Sequence, residues 1–231
     1  MIPILKKQVD HILNRIRETA YLYGRDMDEI QLIAVSKTIP PEMIREAIEC
    51  GLKTFGESYI QESREKIASI ADSSISWHFI GHLQSNKAKY AVKLFDLIHT
   101  VDSIKLAYEL DRQAQKINKV QDILLQVNVG MEGSKSGAPP EYVLDLTKAI
   151  SSLQHLKVKG LMAIPPVYNS PERVAPYFQT LRKLRDMIRN EKIPNIDMKE
   201  LSMGMTGDFE VAIREGATLI RIGTAIFGER G

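Results

Sequence analysis

Short apolar runs alternate with segments of helical period along nearly the whole chain. The runs fall at Gln31–Lys37, Lys53–Glu57, Ser76–Gly81, Leu97–Asp102, Asp122–Val129, Val158–Ile164, Glu200–Met205 and Thr218–Phe227. Between them, apolar residues recur at spacings of three and four. Examples are Ile44, Ala47 and Ile48; Ala88, Ala91, Val92 and Phe95; Ala107, Leu110, Ala114 and Ile117. The same spacing recurs at Val143, Leu146 and Ile150, at Phe178, Leu181, Leu184 and Ile188, and at Phe209, Ala212 and Ile213. Such spacing places one apolar stripe on each helix. The segment 59–70 carries the pattern more weakly, through Ile60, Ile67 and Ile70. A further helix precedes the first run, with Val9, Ile12, Leu13, Ile16 and Ala20 on one face.

Eight strand–helix units predict parallel strands joined by right-handed crossovers, and eight is the number that closes into a barrel. The competing doubly wound sheet uses five or six strands. The expected fold is therefore α/β, a (β/α)8 TIM barrel with an extra N-terminal helix. No Pro/Gly/Ser-rich linker or low-complexity tract interrupts the alternation, so residues 1–231 are expected to form one domain.

Composition narrows the function classes. The 231 residues carry 31 Lys+Arg against 29 Asp+Glu, a net charge of +2, without the clustered basic surplus of a nucleic-acid binder. A single cysteine, Cys50, excludes an internal disulfide framework and any multi-cysteine metal site. The first twenty residues include Lys6, Lys7, Asp10 and Arg15 and hold no apolar signal core. No uncharged apolar run approaches the roughly 18 residues of a spanning helix. A soluble cytoplasmic protein is expected.

In barrels of this kind, chemistry sits at the C-terminal ends of the strands, and phosphate is often held after strands seven and eight. Lys37 ends the first run. In an apolar mouth, a lysine loses part of its preference for the charged form and can attack a carbonyl to give a Schiff base. After the seventh run comes Met203-Gly204-Met205-Thr206-Gly207-Asp208, and the eighth contains Arg221-Ile222-Gly223-Thr224. Glycines that admit close backbone approach, beside hydroxyls, favour an anion there. Arg221 interrupts an apolar strand, so it either pairs with a carboxylate such as Glu57 or Asp208 or contacts a ligand directly. His78 and His82 lie four apart, about 13 Å along a strand, too far to share a metal ion. No metal site is expected. Lys87, Lys89 and Lys93 read as the wet face of a helix, and the loop 130–137 as part of the mouth.

The sequence resembles the pyridoxal phosphate homeostasis proteins, also called the proline synthetase co-transcribed homologues, which look like the barrel domain of alanine racemase. The matching motifs are AVSKT at 34–38, FGESYIQE at 55–62, HFIGHLQSNK at 78–87, VNVGMEGSKSG at 127–137, GLMAIP at 160–165, LSMGMTGDFEVAI at 201–213 and RIGTAIFGER at 221–230. The resemblance implies pyridoxal 5′-phosphate held as a Schiff base on Lys37. It places Thr206, Gly223, Thr224 and neighbouring Ser202 around the phosphate, and Arg221 against the pyridine nitrogen. A cation there disfavours protonation of that nitrogen and weakens the ring as an electron sink. Two positions depart from the family pattern. Thr206 stands where Ser is frequent and keeps the hydroxyl. Ser58 stands where Asn is frequent, so the contact of that Asn is not carried over.

A racemase needs an acid/base on each face of the substrate carbon, and in the related enzyme a tyrosine supplied with help from a second domain serves the face opposite the lysine. Residues 1–231 are expected to hold no such domain, and no tyrosine obviously replaces the missing one, although Tyr59 and Tyr168 follow strand ends and could approach the mouth. The expectation is a monomeric carrier that buffers or delivers the cofactor, possible recipients being apo pyridoxal-dependent enzymes, with no catalytic residue assigned. The alternatives are a weak amino-acid racemase and an aldolase-type barrel in which Lys37 attacks a keto substrate.

Overall fold

A computed structural model describes residues 2–133 and 136–229; Ser134 and Lys135 of the 130–137 loop and Arg230 of the last motif lie outside the described residues. The strands are β1 (Gln31–Val35), β2 (Thr54–Glu57), β3 (Ser76–Phe79), β4 (Leu97–Val101), β5 (Gln121–Val127), β6 (Leu156–Ala163), β7 (Ile196–Ser202) and β8 (Leu219–Ile222). Each pairs in parallel with the next, and β8 returns to β1 with Gln31–Ala34 opposite Leu219–Ile222, closing the barrel. Around it run α2 (Pro41–Glu49), α3 (Ile60–Ile70), α4 (Ala88–Leu94), α5 (Ile104–Gln115), α6 (Val143–Ile150), α7 (Ala175–Asn190) and α8 (Phe209–Arg214). The extra helix α1 (Ile2–Leu22) buries Leu5, Val9, Ile12, Ile16 and Ala20. It packs on α2, on α8 and on a last single turn, α9 (Thr224–Phe227). No helix among the described residues is long and apolar enough to cross a membrane.

Most strand ends fall within three residues of the sequence pattern, and two boundaries differ by four or more. The run expected as strand through Phe227 ends at Ile222, because Gly223 (φ −119°, ψ −72°) leaves the extended region and the chain turns into α9. An apolar run of that length looks alike as strand or buried helical turn. The seventh strand begins at Ile196, not Glu200, hidden by the alternation of Asp197 and Lys199 with Met198. Pairing with β6 and the Lys159–Asp197 ion pair (2.8 Å) hold this first half in the sheet.

Strand alternation divides the core in two. Outward residues such as Ala34, Phe55, Ile98, Leu125, Leu161 and Ile220 join the helices in one large apolar cluster. Their inward neighbours Ile33, Leu97, Leu124, Met162 and Leu219 form a separate cluster inside the ring. Toward the N-terminal ends the lining turns polar, with Gln31 donating to Thr54 (2.7 Å) and Thr218 to Glu200 (2.6 Å). Toward the C-terminal ends it turns polar again with His78, His99, Ser202 and Arg221, all buried.

Closure is tightest where β6 meets β7. The register shifts between Val158 and Gly160, and a Cβ on Gly160 would stand 1.9 Å from the Glu200 carbonyl oxygen. Backbone cannot yield as a side-chain tip does, so Gly160→Ala should cost at least the roughly 3 kcal/mol of a severe overpacking. Gly133→Ala, where a Cβ meets nothing within 4 Å, is the control and should be near neutral. Urea unfolding of both variants checks this; equal midpoints would contradict it.

Candidate functional site

At the C-terminal mouth a cavity of about 270 Å³ is lined by Lys37, Ser58, Thr206, Gly207, Arg221, Gly223 and Thr224, with Val35, Ile80 and Ile164 as apolar walls. Lys37 arrives two residues past the inward Val35, Ser36 between them having turned outward. Thr206 and Gly207 come from the loop between β7 and α8, and Gly223 and Thr224 from the end of β8. The larger hollow, about 570 Å³, is at the opposite end of the barrel. Two of its three arginines are already engaged, Arg25 with the carbonyls of Ile213 and Ala217, and Arg185 with that of Lys199 and with Asp186.

The structure brings five of the six expected site residues to the cavity wall. The sixth, Ser202, lies behind Arg221 with no exposed surface. Arg221, only 3% exposed, donates through Nη1 to Ser202 Oγ (2.5 Å) and through Nη2 to the Ala163 carbonyl (2.9 Å). Neither carboxylate considered from sequence pairs with it: Glu57 bonds Ser36 and Lys66, and Asp208 Oδ1 accepts from the Met205 amide (2.6 Å). The reason is orientation. Glu57 faces outward from β2, on the side of Phe55, whereas Arg221 faces into the ring on the side of Leu219. Burial pulls Arg221 down to about 10, partly offset by the charge of Asp208, and it stays protonated at neutral pH. Two bonds use two of its five N–H groups, leaving donors for a ligand in the cavity.

Behind Ser202 runs a chain the sequence did not disclose. His99 Nδ1 lies 2.9 Å from Ser202 Oγ, and His99 Nε2 lies 3.0 Å from His78 Nδ1. Arginine only donates, so Ser202 accepts from it and gives its own proton to His99 Nδ1. His99 then carries hydrogen on Nε2 and donates to His78. Burial lowers His78 to about 4 and, together with His78 and Arg221, holds His99 well below its ordinary range. Both rings are neutral. The two histidines lie 21 residues apart on neighbouring strands, a separation that no local spacing rule detects. His82 is exposed, and no cluster of three metal-ligating groups occurs among the described residues.

A second network backs Lys37. Glu57 is fully buried and accepts from Ser36 Oγ (2.6 Å) and Lys66 Nζ (3.0 Å), while burial pushes its carboxyl up. Of the two tyrosines singled out, Tyr59 is largely exposed beside a separate hollow, and Tyr168 bonds Tyr177 hydroxyl to hydroxyl (2.7 Å). Neither lines the cavity around Lys37.

Residues 9–231 match the family model described as the alanine racemase N-terminal domain. A protein of Aquifex aeolicus (strain VF5) named pyridoxal phosphate homeostasis protein is 47% identical over 224 residues, 97% of each chain. The structure of PipY from Synechococcus elongatus PCC7942 with PLP bound superposes with a TM-score of 0.82 at 38% identity, covering 93% of this chain and 100% of that one. An alanine racemase of Clostridium difficile 630 shares the fold alone, with a TM-score of 0.74 at 14% identity over 97% of this chain and 57% of that one.

The buried histidines predict an acid-sensitive barrel. Between the unfolded value near 6.5 and the folded value of about 4 for His78, the unfolded chain binds a proton that the folded one does not. The stabilisation from the neutral ring is therefore full above pH 6.5 and is lost as pH falls through 4, by roughly 1.4 kcal/mol per pH unit. His78→Asn keeps an acceptor for His99 and removes the titration, so melting temperature should fall less steeply across this window. Parallel curves for variant and parent would refute the assignment.

Proposed function

The chain belongs to the alanine racemase N-terminal domain family, among the pyridoxal phosphate homeostasis proteins, and on that footing we propose that it holds pyridoxal 5′-phosphate in the mouth of the barrel and takes part in its homeostasis. One observation carries the reading: Lys37 shares one cavity with two glycine–hydroxyl loops and with a buried arginine, Arg221, that bonds a hydroxyl and a carbonyl and meets no carboxylate among the described residues. The PLP-bound PipY relative and the homeostasis names support the same ligand.

The cavity residues fit the group. The amides of Thr206, Gly207 and Thr224 have no acceptor among the described residues, and with the hydroxyls of Thr206 and Thr224 they form a donor set for a phosphate. When bound, the cofactor supplies an aldehyde that condenses reversibly with a primary amine. Lys37 is the primary amine on this wall. Arg221 would donate toward the pyridine nitrogen and disfavour its protonation, which would limit electron withdrawal by the ring. Ser202 and the Ala163 carbonyl hold the guanidinium plane, so Ser202 acts through Arg221. Ser58, on the same wall, would offer a hydroxyl to a bound ring.

Residues 1–231 are read as one cofactor-binding barrel domain. Buffering or delivery without robust turnover is the role supported best, because no tyrosine, histidine or carboxylate among the described lining residues stands in the cavity with Lys37 to serve the second face of a substrate. Apo pyridoxal-dependent enzymes are the proposed recipients, and the working form is a cytoplasmic monomer. The aldolase-type alternative leaves the phosphate donors and Arg221 without a task.

Protein incubated with pyridoxal 5′-phosphate should turn yellow, and borohydride should fix one adduct on the peptide containing Lys37. Lys37→Ala should lose both while melting as the parent does. An unmodified Lys37 peptide would overturn the assignment. Amino-acid racemisation should stay at the level of free cofactor; rapid racemisation abolished by Lys37→Ala would replace the carrier with an enzyme.

A further inference from the structure

The loop that carries Lys37 is gripped from behind. The carbonyl of Ser36, in the peptide group before Lys37, accepts from Lys66 Nζ at 2.6 Å. The amide of Thr38, in the peptide group after it, donates to Glu62 Oε1 at 2.6 Å. Lys66 joins the two ends: it is 4% exposed and ion-paired with both Glu57 and Glu62. Its three donors thus meet three acceptors, and Glu57 in turn takes the Ser36 hydroxyl. All of this lies on the outer face of the barrel wall, between β2 and α3, while Lys37 lies on the cavity side.

The backbone shows why a grip is needed. Thr38 has φ +65°, in the left-handed region that a β-branched residue occupies only when its surroundings hold it there. Ser36 stays with the sheet through its amide to the Gly56 carbonyl (3.0 Å). The chain therefore bends between a residue fixed to the sheet and one fixed to α3, with Lys37 between them.

We propose that Glu57, Lys66 and Glu62 are positioning residues: a charged clamp that fixes both peptide groups flanking Lys37 and so sets where its amine stands in the mouth. Its effect on cofactor retention rests on the reading of the cavity given above. Its effect on the backbone does not.

Glu62 is partly exposed and is the member whose loss the fold should tolerate. Glu62→Ala removes the acceptor of the Thr38 amide, whereas Glu62→Gln keeps an oxygen there. In cofactor-free protein, hydrogen exchange at the Thr38 amide should quicken about tenfold or more in Glu62→Ala, the factor that a lost bond to a charged acceptor implies. Glu62→Gln should restore most of the protection. In loaded protein, release of pyridoxal phosphate to excess hydroxylamine should be several-fold faster in Glu62→Ala and near the parent rate in Glu62→Gln, with the melting temperatures of all three alike. The double variant Glu57→Gln/Lys66→Met, which removes one charge of each sign, should shift both readouts the same way and serves if Glu62→Ala does not fold. Unchanged Thr38 exchange overturns the clamp. Faster exchange with unchanged release overturns its role in retention. A parent protein that takes up no cofactor overturns the reading of the cavity and leaves the amide measurement to decide the clamp.

Discussion

Pairing of the first strand with the last holds the site together. Gln31–Ala34 lie beside Leu219–Ile222, and that register brings Lys37 to the loop of Gly223 and Thr224, nearly two hundred residues away in sequence. The closed ring also separates each strand into inner and outer residues, most of them buried on both sides. A polar side chain on either face must then find partners or lose several kcal/mol. The polar networks of this barrel are answers to that demand.

Two buried cations answer it differently. Lys66, outside the ring, has carboxylates on either side and spends all its donors on the protein. Arg221, inside the ring, bonds neutral acceptors alone among the described residues and feels Asp208 from a distance. Attraction between ions offsets their dehydration only with good geometry and full hydrogen bonding, so Lys66 suits a structural part. Arg221 retains unused donors and an unneutralised charge, which suits a residue that meets a ligand. The neutral histidines behind Ser202 complete its support without adding a competing charge.

Much of the cavity wall was legible in the sequence. Lys37, Thr206, Gly223 and Thr224 follow from the rule that strand ends carry the chemistry, and the number of strands from the alternation of apolar periods. The two boundaries that shifted furthest were not. Thr224–Phe227 is too short for its period to distinguish strand from helix, and the first half of β7 reads as polar because Asp197 and Lys199 alternate with Met198. Arg221 was visible as an interruption of an apolar strand, but its partners were not.

The sequence by itself determined the barrel, its extra helix and the residues at its mouth, because periodicity and turn chemistry are local and act within a few residues. Only the tertiary structure decided which face each polar residue takes and whom it meets. It turned Glu57 outward to Lys66 and Arg221 inward to Ser202, and joined His78 to His99 across neighbouring strands. Those choices depend on strand register and barrel closure, which arise from the whole ring at once and leave no mark in the spacing of residues along the chain.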